Sequence, residues 1–108
     1  MANFVKIGTV DDVAPGRPLI YDFDYETVAV FQVGDDEYLC IEDLCTHEEY
    51  PLSEGKQEDC RVECPLHGSW FDLRTGEALN MPAVKAVRTF EVKIEGNELY
   101  VAEPEDSW

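Results

Sequence analysis

Two short pairs, Cys45-Thr46-His47 and Cys64-Pro65-Leu66-His67, constrain this chain more than any other feature. Each places a thiolate and an imidazole on one short loop. Sixteen residues separate His47 from Cys64, and the chain has no other histidine. Two Cys and two His complete a four-ligand metal set. A fold for this sequence has to bring the two loops together at one end.

The surrounding pattern is one of short strands and turns. Residues 4–8, 17–23, 27–33 and 37–41 are rich in β-branched and aromatic side chains and read as strands. Residues 10–13 suit one helical turn, stopped by Ala14-Pro15-Gly16. Gly34-Asp35-Asp36 is turn chemistry. The polar stretch 51–59 reads as a loop, Arg61 and Val62 as a short strand, and 70–73 as another, turned by Arg74-Thr75-Gly76. Residues 89–94, Glu95-Gly96-Asn97 and 98–101 predict a terminal hairpin, and 103–108 a frayed tail. Many short strands with regular turns imply an all-β sandwich or barrel.

At 108 residues the prior is a single domain. No apolar run approaches the ~20 residues of a membrane helix. The start of the chain has no secretory pattern, which predicts a cytoplasmic protein. The net charge is −16, from 24 acidic and 8 basic residues. Nucleic acid and anionic lipid are therefore poor partners, whereas a protein with a basic face would be steered inward. The acidic bias is local too. Glu42, Asp43, Glu48, Glu49, Glu54, Glu58, Asp59 and Glu63 face only Lys56 and Arg61 across the motif region.

Zinc is the first reading of two Cys and two His. Zinc fingers of that composition pair Cys with Cys and His with His, whereas here each loop carries one of each. A mixed pair on each loop suits a two-iron cluster, with two thiolates on one iron and two imidazoles on the other. Cys40, in the run Tyr38-Leu39-Cys40-Ile41, and Cys60 read as structural thiols. A Cys40–Cys60 disulfide remains compatible with the sequence, as does a Cys2His2 zinc-stabilised binding module.

The motif C-x-H-x₁₆-C-x-x-H, with Cys64-Pro65-Leu66-His67-Gly68-Ser69, resembles the Rieske [2Fe–2S] family. So do Pro51-Leu52-Ser53-Glu54-Gly55, Trp70-Phe71-Asp72-Leu73-Arg74-Thr75-Gly76-Glu77 and Pro82 in Met81-Pro82-Ala83-Val84. The resemblance spans roughly residues 38–101. It implies a Rieske-like antiparallel β sandwich or barrel over 1–108, with a cluster-binding part at about 43–82. It makes Cys45 and Cys64 ligands of one iron and His47 and His67 ligands of the other. Thr46, Gly68 and Ser69 would line the loops, and Pro82 would lie on a covering loop.

High-potential members carry an extra cysteine on each loop and a tyrosine two residues after the loop serine. Here those slots hold Tyr50, Leu66 and Phe71, which implies a potential low in the family's range. With no third histidine the chain cannot also hold a two-histidine, one-carboxylate iron. It also lacks a dinucleotide fingerprint. The resemblance is therefore to the ferredoxin component of bacterial aromatic-ring dioxygenases, a monomeric one-electron carrier rather than an enzyme. Its partners would be a flavin-dependent NAD(P)H reductase and a terminal Rieske oxygenase. Glu48, Glu49, Tyr50 and Leu66 are the candidate docking residues, and a core role is expected for Trp70. A nitrite reductase-like small subunit and an iron–sulfur assembly accessory remain alternatives.

Overall fold

In the middle of the chain, Val28, Ala29, Val30 and Phe31 are all buried. Successive strand side chains point to opposite faces, so a run buried at every position belongs to a strand covered on both sides. The structure, a computed structural model, describes residues 3–24, 26–46, 50–66, 68–81, 83 and 85–103. Within it this run belongs to β3 (Glu26–Val33).

The other strands are β1 (Phe4–Thr9), β2 (Leu19–Phe23), β4 (Glu37–Glu42), β5 (Gln57–Glu58), β6 (Arg61–Glu63), β7 (Trp70–Asp72), β8 (Thr89–Phe90), β9 (Val92–Glu95) and β10 (Glu98–Ala102). They form three antiparallel sheets, ordered β2-β3-β4-β8, β1-β10-β9 and β5-β6-β7. The four-stranded sheet is the middle layer. On one face Val28, Val30 and Cys40 pack with Val13, Leu99 and Val101. On the other, Ala29, Phe31 and Ile41 pack with Leu52, Val62, Phe71, Leu73 and Val87, and with Cys45 and Cys64. Each fully buried Val or Phe contributes about 1.5–3 kcal/mol of transfer free energy, so β3 anchors two cores at once.

The all-β expectation holds, with two local corrections. The strand predicted over 89–94 breaks at Glu91. Its first half pairs with β4 (Cys40↔Phe90) and its second with β10 (Leu99↔Ile94). Alternation reports which face a residue occupies, not which partner the strand has, so the sequence reads as one strand. The loop predicted over 51–59 contains a 3₁₀ turn, Leu52–Glu54, and β5. Leu52 of that turn is fully buried. The helical turn predicted near residue 10 is a 3₁₀ turn, Val10–Asp12, where the Asp12 carboxylate accepts the Thr9 N–H at 2.9 Å. The tail 104–108 lies outside the described residues. No helix among those residues is long and apolar enough to cross a membrane.

Strands β4 and β8 are neighbours in the sheet, yet the chain between them makes the whole β5-β6-β7 excursion. Its two ends are stapled together. The Glu42 N–H donates to the Arg88 carbonyl at 2.9 Å, and the Arg88 N–H donates to Glu42 Oε1 at 2.8 Å. Both Cys–His pairs lie on this excursion.

Candidate metal centre

The first loop leaves β4 through a buried carboxylate. Asp43 is only 6% exposed. Its two oxygens accept the Ser53 N–H and the Ser53 hydroxyl, both at 2.6 Å, and its own N–H donates to the Thr27 carbonyl at 2.9 Å. Asp43, one of the acids in the locally acidic motif region, is therefore not a solvent-facing charge: its side chain holds the base of the loop. Asp43 and Ser53 are ten residues apart, too far for any local spacing rule to pair them.

Two residues later the Cys45 N–H donates to the Tyr50 carbonyl at 2.8 Å, which closes the loop on itself. The Cys45 side chain is 1% exposed. Thr46 reaches out of the loop, its hydroxyl donating to the Lys85 carbonyl at 2.6 Å. Tyr50 lies half-buried against the core, with its hydroxyl 3.4 Å from Glu54 Oε1.

The second loop is closed in the same way. The Cys64 N–H donates to the Ser69 carbonyl at 2.7 Å, and the Gly68 N–H donates back to the Cys64 carbonyl at 3.1 Å. Gly68 has φ +74°, a conformation that costs glycine least. The Cys64 side chain is 1% exposed, while Leu66 at the tip is 47% exposed. Ser69 is buried, and its hydroxyl oxygen accepts the Ala83 N–H at 3.0 Å. Phe71, in the slot of interest for the potential, is fully buried and brings no hydroxyl. Trp70 is half-buried with the Arg61 guanidinium 4.2 Å above its ring, so it is a covered surface residue rather than the core residue expected.

The structure thus brings Cys45 and Cys64 into one core cluster and ties the loops carrying Thr46 and Ser69 to the segment that contains Ala83 and Lys85. His47, His67, Glu48, Glu49 and Pro82 lie outside the described residues. Cys40 and Cys60 are not joined, so the disulfide left open by the sequence is not formed. Burial pushes the Cys40 thiol far above its ordinary pKa and raises Cys60 as well. Both are therefore inert thiols at neutral pH.

The donor chemistry fits a metal cluster. Cys45 and Cys64, sunk into an apolar core at the heads of two closed loops, stand in poor places for lone thiolates. The same places are good for thiolates bonded to a metal, whose charge replaces the lost water. Comparison decides which centre this is. The sequence model of the Rieske [2Fe–2S] domain matches residues 3–91.

The chain belongs to the Rieske [2Fe–2S] domain family. The ferredoxin component of biphenyl 2,3-dioxygenase from Rhodococcus jostii (strain RHA1) is 43% identical over 96 residues, covering 89% of each chain. The ferredoxin of carbazole 1,9a-dioxygenase from Nocardioides aromaticivorans IC177 superposes with a TM-score of 0.88 at 36% identity, covering 95% of this chain and all of that one. A complex of reduced oxygenase and oxidised ferredoxin in carbazole 1,9a-dioxygenase contains a chain at TM-score 0.86 and 34% identity, with 92% of each covered. The cofactor of this Rieske protein is a [2Fe–2S] cluster, and the protein is a ferredoxin-type electron carrier, not a catalyst.

Proposed function

We propose that Cys45, His47, Cys64 and His67 hold the cluster, with the chain acting as one domain. It carries single electrons from a flavin-dependent NAD(P)H reductase to the terminal oxygenase of an aromatic-ring dioxygenase system. The observation that carries the ligand assignment is the burial of Cys45 and Cys64 in one core cluster, each at the head of a self-closed loop. When bound, the cluster takes up and gives back one electron.

The residues of the chain do the rest. Cys45 and Cys64 keep their thiolate bonds out of water. Thr46 and Ser69 tie the two loops to the segment beyond β7. That segment limits solvent access and the reorganisation that would slow transfer. Leu66, at the exposed tip of the second loop, supplies apolar contact for a partner. Glu48 and Glu49 add charge for a basic docking face, and the net charge of −16 steers the encounter. Tyr50 contributes less to docking, because it packs against the core. The carbazole complex, in which a similar ferredoxin meets its oxygenase, supports the oxygenase as acceptor. A monomer in the cytoplasm suits a carrier that alternates between two partners.

The test is direct. The purified protein should contain two iron and two labile sulfide per chain. It should also support oxygenase turnover when mixed with a reductase and a biphenyl- or carbazole-type oxygenase. Cys45→Ser and His67→Ala should each abolish the cluster. A colourless protein with one zinc would overturn the assignment.

A further inference from the structure

The segment after β7 folds back along the second loop. It starts as a partial strand: Ala78 bridges Phe71, and the Leu79 N–H donates to the Trp70 carbonyl at 2.8 Å. Asn80 follows, and its side chain does what a strand backbone would do. Oδ1 accepts the Trp70 N–H at 2.7 Å, and Nδ2 donates to the Gly68 carbonyl at 3.1 Å. Those two backbone groups flank Ser69. The Ser69 carbonyl in turn accepts the Cys64 N–H, and its hydroxyl oxygen accepts the Ala83 N–H.

A planar carboxamide offers a donor and an acceptor side by side. A carboxylate offers only acceptors, and an aliphatic side chain offers neither. Gly68 follows His67 directly in the chain and already sits in the left-handed region at φ +74°. Its backbone has few steric restraints of its own; within the loop its N–H is held by the Cys64 carbonyl, and from outside its C=O is held by Asn80. Asn80 is itself exposed, so removing its carboxamide opens no cavity in the core.

We infer that Asn80 is a positioning residue for the metal centre: its carboxamide clamps the backbone on both sides of Ser69 and so sets the direction of the Cys64–His67 loop. This rests on the cluster reading above. A loop held at both ends of its turn keeps its ligands and its N–H donors aimed; a released loop lets them drift, and metal affinity and potential follow. No local pattern in the sequence marks Asn80, because its partners lie ten and twelve residues back.

The experiment compares the iron-loaded protein with Asn80→Ala and Asn80→Asp. Three quantities are measured: iron release to a chelator, midpoint potential, and amide exchange at Trp70. In Asn80→Ala, iron release should speed up about tenfold, the potential should fall, and Trp70 should exchange faster. Asn80→Asp keeps the acceptor for Trp70 and loses the donor to Gly68. It should therefore preserve slow Trp70 exchange yet still release iron faster than the parent. Unchanged iron release and potential in Asn80→Ala, with Trp70 exchange accelerated, would overturn the inference, because the clamp would then be structural only. Failure of the cluster reading itself would be seen separately, as a parent protein without two irons and two sulfides.

Discussion

The hydroxyl oxygen of Ser69 accepts the backbone N–H of Ala83 at 3.0 Å, and both residues are buried. One bond thus joins the second ligand loop to the segment lying over it. Ser69→Ala would leave the Ala83 N–H buried without a partner. The expected loss is about 1–3 kcal/mol, the usual cost of such an orphan. Urea unfolding of the iron-loaded protein would measure it, and a change below about 0.5 kcal/mol would show that the bond is dispensable.

Two glycines should respond to alanine in opposite degrees. At Gly55 a Cβ would lie 1.7 Å from the Glu63 carbonyl oxygen, and that oxygen is backbone, at the end of β6. Either the 3₁₀ turn or the sheet must move, so Gly55→Ala should cost more than about 3 kcal/mol or prevent cluster loading. Gly16 has φ +79° but nothing within 4 Å of an added Cβ. Gly16→Ala meets only the backbone penalty, about 1 kcal/mol. Equal costs from thermal denaturation of the two variants would contradict this account.

The buried thiol of Cys40 predicts an alkaline weakness. Its pKa is raised by desolvation in the folded state, from an ordinary value of 9.0. A group with a raised folded pKa contributes stability that is complete below the unfolded pKa and is lost as pH climbs above it. Stability should therefore fall above about pH 9, approaching about 1.4 kcal/mol per pH unit from this one group. Cys60, also raised by burial, adds to the same trend. Cys40→Ala should flatten most of the slope in unfolding curves taken from pH 7 to 10. An unchanged slope would place the alkaline sensitivity elsewhere.

Much of this was legible in the residues, for reasons that can be named. The Cys45/His47 and Cys64/His67 pairs are a short-range signal, and the chemistry of a mixed two-Cys, two-His set narrows the choice of centre sharply. The buried strand at 27–33 was legible from its β-branched run. Asp43 and Asn80 were not. Each acts on a backbone ten residues away in the chain, and only the fold brings the partners together. The switch at Glu91 was hidden for a related reason: alternation records two faces but says nothing about which sheet lies alongside. For Trp70 the sequence predicts a core role, since tryptophan buries most of its bulk on average. Here Arg61 covers the ring instead.

The residues around the loops also predict a low potential. Leu66 and Tyr50 stand where a bridging cysteine pair would be needed, and the buried Phe71 offers no hydroxyl. Fewer donors to the cluster sulfurs leave the reduced form less stabilised. A redox titration should give a midpoint near the bottom of the Rieske range, about −150 mV. A value near the top, about +300 mV, would rule out this explanation.

Charge steering predicts a salt dependence. With a net charge of −16, second-order electron transfer to an oxygenase with a basic face should slow several-fold between about 0.05 and 0.5 M salt. Stopped-flow mixing of reduced ferredoxin with oxidised oxygenase measures it. A flat rate would leave apolar contact at Leu66 as the main docking force.

The staple between Glu42 and Arg88 makes the part of the chain that carries both Cys–His pairs a side excursion from an otherwise continuous β framework. Strands β4 and β8 pair directly beneath it, through Cys40↔Phe90 and Ile41↔Thr89. Iron release and global denaturation are therefore expected to occur as separate transitions, which chelator release and thermal unfolding followed on the same sample would distinguish. The excursion packs on Ala29, Phe31 and Ile41 of the framework, but its ends are held by β4–β8 pairing, so local opening of its loops above a zipped stem is the expected route of iron loss. A carrier built this way is expected to be emptied and refilled without passing through the unfolded chain.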